Sequence, residues 1–140
     1  MKNKKLLLGI SLIVITLSSC KKYEDGPLIS LRSREERVAN NWRIEKAMDN
    51  GNDITSDIDN YHVSFTKGGE ATLTAKYNFL GVTYTFSTHG TWSFENKDEK
   101  IKVDYEDDNA DATYLILRLK EKELWVREEG NDLEIHLVPN

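Results

Sequence analysis

Apolar and polar residues alternate with a period of two along most of the chain from Trp42 onward. Successive side chains of a β-strand point to opposite faces, so this alternation predicts strands with one buried and one solvated face. Turn-forming segments separate the runs, and no helix of useful length fits between them, so we predict an all-β fold with an antiparallel, meandering sheet. The apolar positions of successive runs are Tyr61, Val63 and Phe65; Leu73, Ala75 and Tyr77; Val82, Tyr84 and Phe86; Trp92 and Phe94; Ile101, Val103 and Tyr105; Leu115, Leu117 and Leu119; Leu124 and Val126; and Leu133, Ile135 and Leu137.

The number of strands depends on how Gly90 is used. If His89 and Gly90 form a hairpin turn, the chain has nine strands. If Gly90 is a bulge within one bent strand from Val82 to Glu95, it has eight, and eight strands can close an up-and-down barrel that is antiparallel throughout. We predict the eight-stranded barrel, with nine strands as the alternative.

Two short turns set the register of the last three strands. A turn at Glu121 and Lys122 pairs Leu119 with Leu124 and Leu117 with Val126 on the inner face. A turn at the hairpin dipeptide Gly130-Asn131 then extends the inner face by two more pairs. These are Val126 with Ile135 and Leu124 with Leu137.

The same register places a small apolar patch on the outer face. Trp125 lies opposite Arg118, Ile116 lies opposite Arg127, and Tyr114 follows on the same face. Such a patch either covers the sheet backbone or contacts a partner protein. Tyr114, Ile116 and Trp125 are therefore the candidate partner-binding residues.

One short helix precedes the strands. The segment Ser33-Arg34-Glu35-Glu36 has the form of a capping box, in which the Ser33 side chain and the Glu36 side chain each bond the other's backbone amide. This predicts a helix over about 33–40. A helix of this length is unstable alone in water, so we expect it to pack on one end of the sheet through Leu31 and Val38.

The first twenty residues have the pattern of a lipoprotein signal. Three lysines precede an apolar run over 6–17, which is too short to span a bilayer and is typical of a secretory signal. The following Leu17-Ser18-Ser19-Cys20 resembles a bacterial lipobox, which implies that Cys20 carries the lipid. The alternatives are a signal peptide that ends near a cysteine by chance, or a signal anchor.

This pattern divides the chain into a signal peptide (1–19), a lipid-anchored linker (20–32) and a barrel domain (33–140). We expect the lipid on Cys20 to hold the protein at a membrane of the cell envelope, the outer membrane, facing either the periplasm or the cell surface. We also expect a monomer.

Charge excludes one class of partner. Residues 20–140 hold 16 Lys or Arg against 24 Asp or Glu, and no dense basic patch interrupts them. Such a chain repels nucleic acid phosphates, so nucleic-acid binding is disfavoured.

Three segments resemble a lipocalin-like (calycin) domain of the kind found on bacterial lipoproteins. They are Asn41-Trp42-Arg43-Ile44, Gly90-Thr91-Trp92-Ser93-Phe94 and Leu124-Trp125-Val126-Arg127, and the resemblance covers about residues 31–138. It implies that the helix plugs one barrel end and that a cavity holds a small apolar ligand. The implied lining is Trp42, Tyr61, Phe65, Tyr77, Tyr84, Phe86 and Trp92. Eight strands also permit an interior filled by side chains, so a solid core is the alternative.

The sequence lacks the motifs of common catalytic and metal sites. It has no Gly-x-Ser-x-Gly, no Cys-His or Ser-His-Asp set, and its three histidines share no metal-ligand spacing. The acidic run over 104–111 lacks the glycine and glutamate of a calcium loop. We therefore predict no enzyme, cofactor or metal. The favoured function is binding of a small hydrophobic ligand; the alternative is a structural or interaction module that docks an envelope protein complex.

Overall fold

The computed structural model describes residues 31–140, so the predicted signal peptide, Cys20 and most of the predicted linker lie outside the described residues. The described chain is mostly strand with a few short helical segments. In chain order these are α1 (Arg34–Val38), β1 (Asn41–Asp49), β2 (Asn52–Asp53), α2 (Thr55–Ile58), β3 (Tyr61–Phe65), β4 (Glu70–Phe79), β5 (Val82–Glu95), β6 (Lys100–Tyr105), a 3-10 turn (Asp108–Ala110), β7 (Ala112–Leu119), β8 (Leu124–Glu128) and β9 (Leu133–Pro139).

The strands form a closed antiparallel barrel. From β3 to β9 each strand pairs with the next along the chain, β1 pairs with β3, and β9 returns to pair with β1, with Ile44 opposite Leu137. The two-residue β2 pairs only with β1 and lies outside the closed ring. The prediction of an eight-stranded up-and-down barrel is confirmed.

Gly90 lies inside one long strand, as the eight-stranded prediction required, but it is not a bulge. Pairing continues through it without a register shift, to Ala71 on one side and Tyr105 on the other. A Cβ at this position would collide with the Asp104 carbonyl and lie 2.6 Å from the Tyr105 Cα. Glycine is therefore needed because β6 crosses β5 at very close range.

The helix α1 closes one end of the barrel. Its capping box is confirmed: the Glu36 amide donates to Ser33 Oγ at 3.1 Å, and the Ser33 amide donates to Glu36 Oε2 at 2.9 Å. Val38 is fully buried, but Leu31 is fully exposed, so the predicted packing of Leu31 is wrong. The second buried residue of the helix is instead Arg37. We call this the closed end of the barrel.

The predicted register of the last strands is partly confirmed. Leu119 pairs with Leu124, and both predicted inner pairs between β8 and β9 are present. The predicted pair of Leu117 with Val126 is wrong, because a register shift between Ile116 and Arg118 makes Ile116 the partner of Val126. This irregularity turns Ile116 inward, where it is buried, and leaves Leu115 outside.

The barrel contains a single apolar core. Its largest fully buried side chains are Trp42, Ile101, Leu119, Leu124, Val38 and Val103. All of them come from α1 and the barrel strands, and they pack in a single cluster. The core cluster is therefore built entirely from residues 31–140, the part of the chain that we use in the binding experiments below.

Candidate functional site

The barrel encloses a cavity of about 230 Å³. Its wall is mainly apolar, and three tyrosines, Tyr61, Tyr105 and Tyr114, bring polar side chains; His62 also borders the cavity, although its pairing with Thr74 places its side chain on the outer face. This combination of apolar wall and a few polar groups is typical of sites for small hydrophobic molecules. The other lining residues are Ile44, Ile58, Val63, Phe65, Leu73, Ile101, Val103, Ala110, Leu124, Val126, Ile135 and Leu137.

The tyrosines of the wall are held in their neutral form. Burial raises the pKa of Tyr114 to about 12, with a smaller effect from Glu128. Burial also raises the pKa of Tyr105, with a further effect of Tyr114. The Tyr61 hydroxyl shares a hydrogen bond with that of Tyr77 at 3.0 Å, and this bond is the main reason that the Tyr61 pKa is raised. A neutral phenol can donate as well as accept, so these groups can orient a polar atom of a ligand.

The seven residues implied as cavity lining fall into three groups. Tyr61 and Phe65 lie on the cavity wall. Trp42 and Trp92 are buried in the core, where each indole donates a 2.8 Å hydrogen bond to a backbone oxygen, that of Val38 and that of Thr66 respectively. The other three, Tyr77, Tyr84 and Phe86, lie outside the cavity, on a hairpin.

That hairpin extends past the rim of the barrel. The outermost β3 pair with β4 is Tyr61 with Ala75, and the outermost β6 pair with β5 is Gly90 with Tyr105. Strands β4 and β5 nevertheless continue to pair with each other as far as Phe79 with Val82. The hairpin therefore projects as a two-stranded ribbon, because its neighbours on both sides are shorter.

The inner face of the hairpin exposes large apolar side chains, which we call the aromatic ribbon. Its members alternate along β4 and β5 in phase with Leu73, which lines the cavity, so they lie on the same face of the sheet as Leu73. Their exposed fractions are 44% for Tyr77, 65% for Phe79, 52% for Val82, 47% for Tyr84 and 61% for Phe86. The rings of Tyr77 and Phe86 meet edge to face, with centroids 5.9 Å apart. Soluble proteins rarely leave so contiguous an apolar surface uncovered.

The aromatic ribbon is continuous with the cavity. A wider space of about 790 Å³ opens at the barrel mouth, and Tyr61, Leu73 and Ala110 line both this space and the cavity. Tyr77 and Phe86 form one side of the mouth. The other side is the loop between β6 and β7, which includes Glu106 and Asp107.

Charge is distributed unevenly between the two ends of the barrel. The connections at the mouth are residues 49–60, 77–88, 106–111 and 128–132, and together they hold eleven Asp or Glu and no Lys or Arg. At the closed end, residues 31–40, 66–70, 95–100 and 119–124 hold eight Lys or Arg and eight Asp or Glu. The mouth is thus strongly acidic, whereas the closed end is balanced.

The candidate partner patch is not a continuous surface. Tyr114 lines the cavity and Ile116 is buried, so the prediction that both face outward is wrong, for the reason given by the register shift in β7. Trp125 does lie on the outer face, where it stacks on His136 at 3.8 Å and under the Arg118 guanidinium at 3.5 Å. Its two ring faces are therefore already covered by the protein's own side chains.

Two tyrosines of the cavity wall, Tyr105 and Tyr114, were not among the residues predicted to line it. Tyr105 alternates correctly with Ile101 and Val103, and this signal already placed it inside the barrel. For Tyr114 the alternation was misleading, because Leu115, Leu117 and Leu119 predict that Tyr114 faces outward. The irregularity near Leu117 reverses the facing of the residues that precede it in β7, so Tyr114 faces the cavity.

The described part of the chain carries neither a metal cluster nor a membrane-spanning helix. Among residues 31–140, no three His, Cys, Asp or Glu side chains come together as a metal site would require. No helix in that range is long and apolar enough to cross a bilayer.

Comparison with known proteins bears on the fold. No protein-family model and no curated protein sequence matches the chain. The crystal structure of a DUF4847 family protein from Bacteroides vulgatus is similar, with a TM-score of 0.50 at 14% identity over 74% of this chain and 94% of that one.

Two odorant-binding structures are more distant. A deswapped triple mutant of bovine odorant binding protein has a TM-score of 0.43 at 14% identity, over 74% of each chain. Odorant binding protein OBP1 has a TM-score of 0.44 at 12% identity, over 78% of this chain and 74% of that one. At these TM-scores neither likeness carries an argument about this chain. The chain's own topology, a closed eight-stranded antiparallel up-and-down barrel with one extra short strand, is that of a lipocalin-like fold.

Proposed function

We propose that this protein binds a small hydrophobic ligand in its barrel cavity while a lipid on Cys20 holds it at the outer membrane. The observation that carries the binding proposal is the cavity of about 230 Å³, enclosed by apolar side chains and three tyrosines. Burial of apolar ligand surface supplies the affinity, and the neutral phenols supply orientation.

The anchoring part of the proposal rests on the sequence. Leu17-Ser18-Ser19-Cys20 follows an apolar run of secretory type, and the chain has one cysteine, which cannot form a disulfide within the chain. Between Cys20 and α1 lies a linker that contains the turn dipeptide Gly26-Pro27. Such a tether places a binding barrel close to the membrane.

Binding is tested with a neutral fluorescent probe, N-phenyl-1-naphthylamine, titrated into residues 31–140. We expect saturable fluorescence enhancement at one site per chain. Val126→Phe adds volume inside the cavity, because Val126 is a buried lining residue. This substitution should weaken probe binding at least tenfold, or about 1.4 kcal/mol.

The matched control is Val138→Phe, which makes the same change on the neighbouring β9 strand at a position next to the inward-facing Leu137. It should leave probe binding unchanged. If Val126→Phe binds the probe as well as the unsubstituted barrel does, the cavity is not the binding site and the proposal fails.

Anchoring is tested separately on the full chain, expressed in a Gram-negative host. Mass spectrometry of the mature protein should find an acylated Cys20 as the first residue, and fractionation should place the protein in the outer membrane. Cys20→Ser should abolish both results. A mature protein that carries no lipid would remove the anchor while leaving the cavity proposal intact.

A docking function finds less support. The predicted patch of Tyr114, Ile116 and Trp125 is interrupted, since two of its members face the barrel interior. Among the described residues, six of the eight exposed large apolar side chains lie instead on the hairpin that carries the aromatic ribbon, beside the mouth of the cavity.

A further inference from the structure

We infer that the ligand is an elongated lipid, with one apolar end in the barrel cavity and the rest of its chain lying on the aromatic ribbon, and that it carries no negative charge. This inference rests on the proposed function, because it assigns the class of molecule that the cavity binds.

The first argument is size. The cavity holds about 230 Å³, whereas pockets for drug-sized ligands measure roughly 300–1,000 Å³. The cavity therefore accommodates only part of a lipid. It is not sealed, however, since Tyr61, Leu73 and Ala110 are shared with the larger space at the mouth. A chain that begins in the cavity can leave it at this point.

The second argument is the surface that such a chain meets on leaving. On β4, Leu73 and Ala75 lie on the inner face within the barrel, and Tyr77 and Phe79 continue that face beyond the rim. Their partners on β5 lie on the same face: Phe86 opposite Ala75, Tyr84 opposite Tyr77 and Val82 opposite Phe79. From Ala75 to Phe79 the strand advances about 13 Å. The ribbon thus continues the cavity wall as an apolar track, and covering it with a lipid chain removes exposed aromatic surface from water.

The ribbon is held in position without the ligand. Tyr77 is fixed at its base by the 3.0 Å hydrogen bond with Tyr61, a residue of the cavity wall. On the opposite face, Thr74 and Ser87 join their hydroxyls at 3.1 Å, and Thr72 bonds His89 at 3.2 Å. These contacts fix the base of the hairpin, and Tyr77 and Phe86 of its apolar face line the mouth.

The third argument is charge, which selects among elongated lipids. Eleven acidic residues and no Lys or Arg occupy the four connections at this end, and Glu106 and Asp107 line the mouth itself. An anionic head group that emerged here would be repelled by the acidic connections over 49–60, 106–111 and 128–132, whereas 77–88 carries no charge. A neutral head group, such as an alcohol, or a cationic one is compatible with this environment.

The experiment measures affinity against chain length, by displacement of the naphthylamine probe from residues 31–140. The ligands are 1-octanol and 1-hexadecanol, the latter delivered from cyclodextrin. The variant is Tyr84→Ser with Phe86→Ser, which removes two exposed side chains of the ribbon. The matched control is Thr83→Ser with Thr85→Ser, on the opposite face of the same strand.

We expect the ribbon variant to lose about tenfold or more in affinity for hexadecanol and to bind octanol as before. The control should bind both alcohols normally. If the ribbon variant binds hexadecanol as tightly as the unsubstituted barrel does, the inference is overturned. Normal octanol binding in the same experiment would leave the cavity proposal standing. Failure of octanol to displace the probe from the unsubstituted barrel would overturn the proposed function as well.

The head-group assignment has its own comparison, among hexadecanol, hexadecylamine and hexadecanoate. The amine should bind at least as tightly as the alcohol, and the carboxylate at least tenfold more weakly. Hexadecanoate that binds as tightly as hexadecanol would overturn the exclusion of anionic lipids.

Two other occupants of the ribbon give different results. If the ribbon joins two copies of the chain, sedimentation will find a dimer that the ribbon variant disperses. If it contacts a bilayer, residues 31–140 will sediment with phosphatidylcholine vesicles and the variant will not. Either result, combined with unchanged hexadecanol affinity, overturns the inference.

Discussion

Arg37 donates a hydrogen bond from its Nη1 atom to the backbone oxygen of Leu119 at 2.7 Å, and this bond joins α1 to the end of β7. Arg37 is the buried charged residue of the described chain. Its replacement by methionine leaves the carbonyl of Leu119 without this donor. We expect Arg37→Met to lower the free energy of unfolding by about 2 kcal/mol, measured by urea denaturation.

The control is Arg34→Met in the same helix. Arg34 forms an ion pair with Asp98 at 3.0 Å, but both side chains are at least one third exposed to solvent. Exposed pairs contribute little, so the loss should stay below about 1 kcal/mol. Equal losses for the two variants would show that burial of Arg37 does not matter.

Gly90 should tolerate no side chain. In Gly90→Ala the new Cβ would collide with the carbonyl of Asp104 and the Cα of Tyr105, and both are backbone atoms that cannot move independently. We expect a loss of about 3 kcal/mol in urea denaturation. Gly68→Ala is the matched control, since its Cβ would have an ordinary 3.7 Å contact with Thr66 Oγ1. A mild effect at Gly90 would contradict the close crossing of β5 and β6.

Partly buried Tyr114, on the cavity wall, should make the protein sensitive to alkali. Its pKa is raised from 10.0 to about 12 in the folded state, so between these values the unfolded chain loses a proton that the folded chain keeps. Stability is therefore fully present below pH 10 and is lost as the pH rises toward 12, at about 1.4 kcal/mol per pH unit for this group. Denaturation curves at pH 9, 10 and 11 measure the loss.

Tyr114→Phe should reduce that slope. Tyr84→Phe, on the half-exposed hairpin, should leave it unchanged. The same alkaline slope in Tyr114→Phe and in the unsubstituted chain would mean that another group controls the transition.

Glu36 should make the capping box sensitive to acid. The hydrogen bond from Lys67, followed by the bond from the Ser33 amide, lowers the Glu36 pKa from 4.5 to about 2. Its contribution is present above pH 4.5 and is lost as the pH falls toward 2. Melting temperatures across this window should fall less steeply in Glu36→Gln than in Glu35→Gln, which changes an exposed neighbour. Parallel curves for these two variants would rule out Glu36 as the group that titrates.

The sequence predicted the barrel well because local chemistry and long-range pairing agree over most of it. The period-two pattern, the turns at Glu121-Lys122 and Gly130-Asn131, and the capping box at Ser33 each point to the observed element. Closure followed from the number of strands: with Gly90 inside a strand the count is eight, and an even count lets the first and last strands pair antiparallel. These features depend on neighbours in sequence or on residues a few positions apart.

The site was less predictable because it depends on differences in strand length. Tyr77, Tyr84 and Phe86 alternate as buried strand residues do, yet they protrude because β3 and β6 stop at Tyr61 and Tyr105. The sequence of the hairpin contains no information about where the neighbouring strands β3 and β6 end. In the same way, the irregularity at Leu117 lies in a run of apolar residues, where a shift of one position leaves the pattern unchanged.

The uneven distribution of acidic residues gives the molecule an electric dipole along the barrel axis, with its negative pole at the mouth. Near a negatively charged surface the torque on this dipole turns the mouth away and brings the balanced closed end toward the surface. Residue 31, where the described chain begins, precedes α1 at that same closed end. The proposed lipid tether on Cys20 and the field of an anionic membrane would therefore orient the barrel in the same direction, with the mouth of the cavity open to the aqueous side.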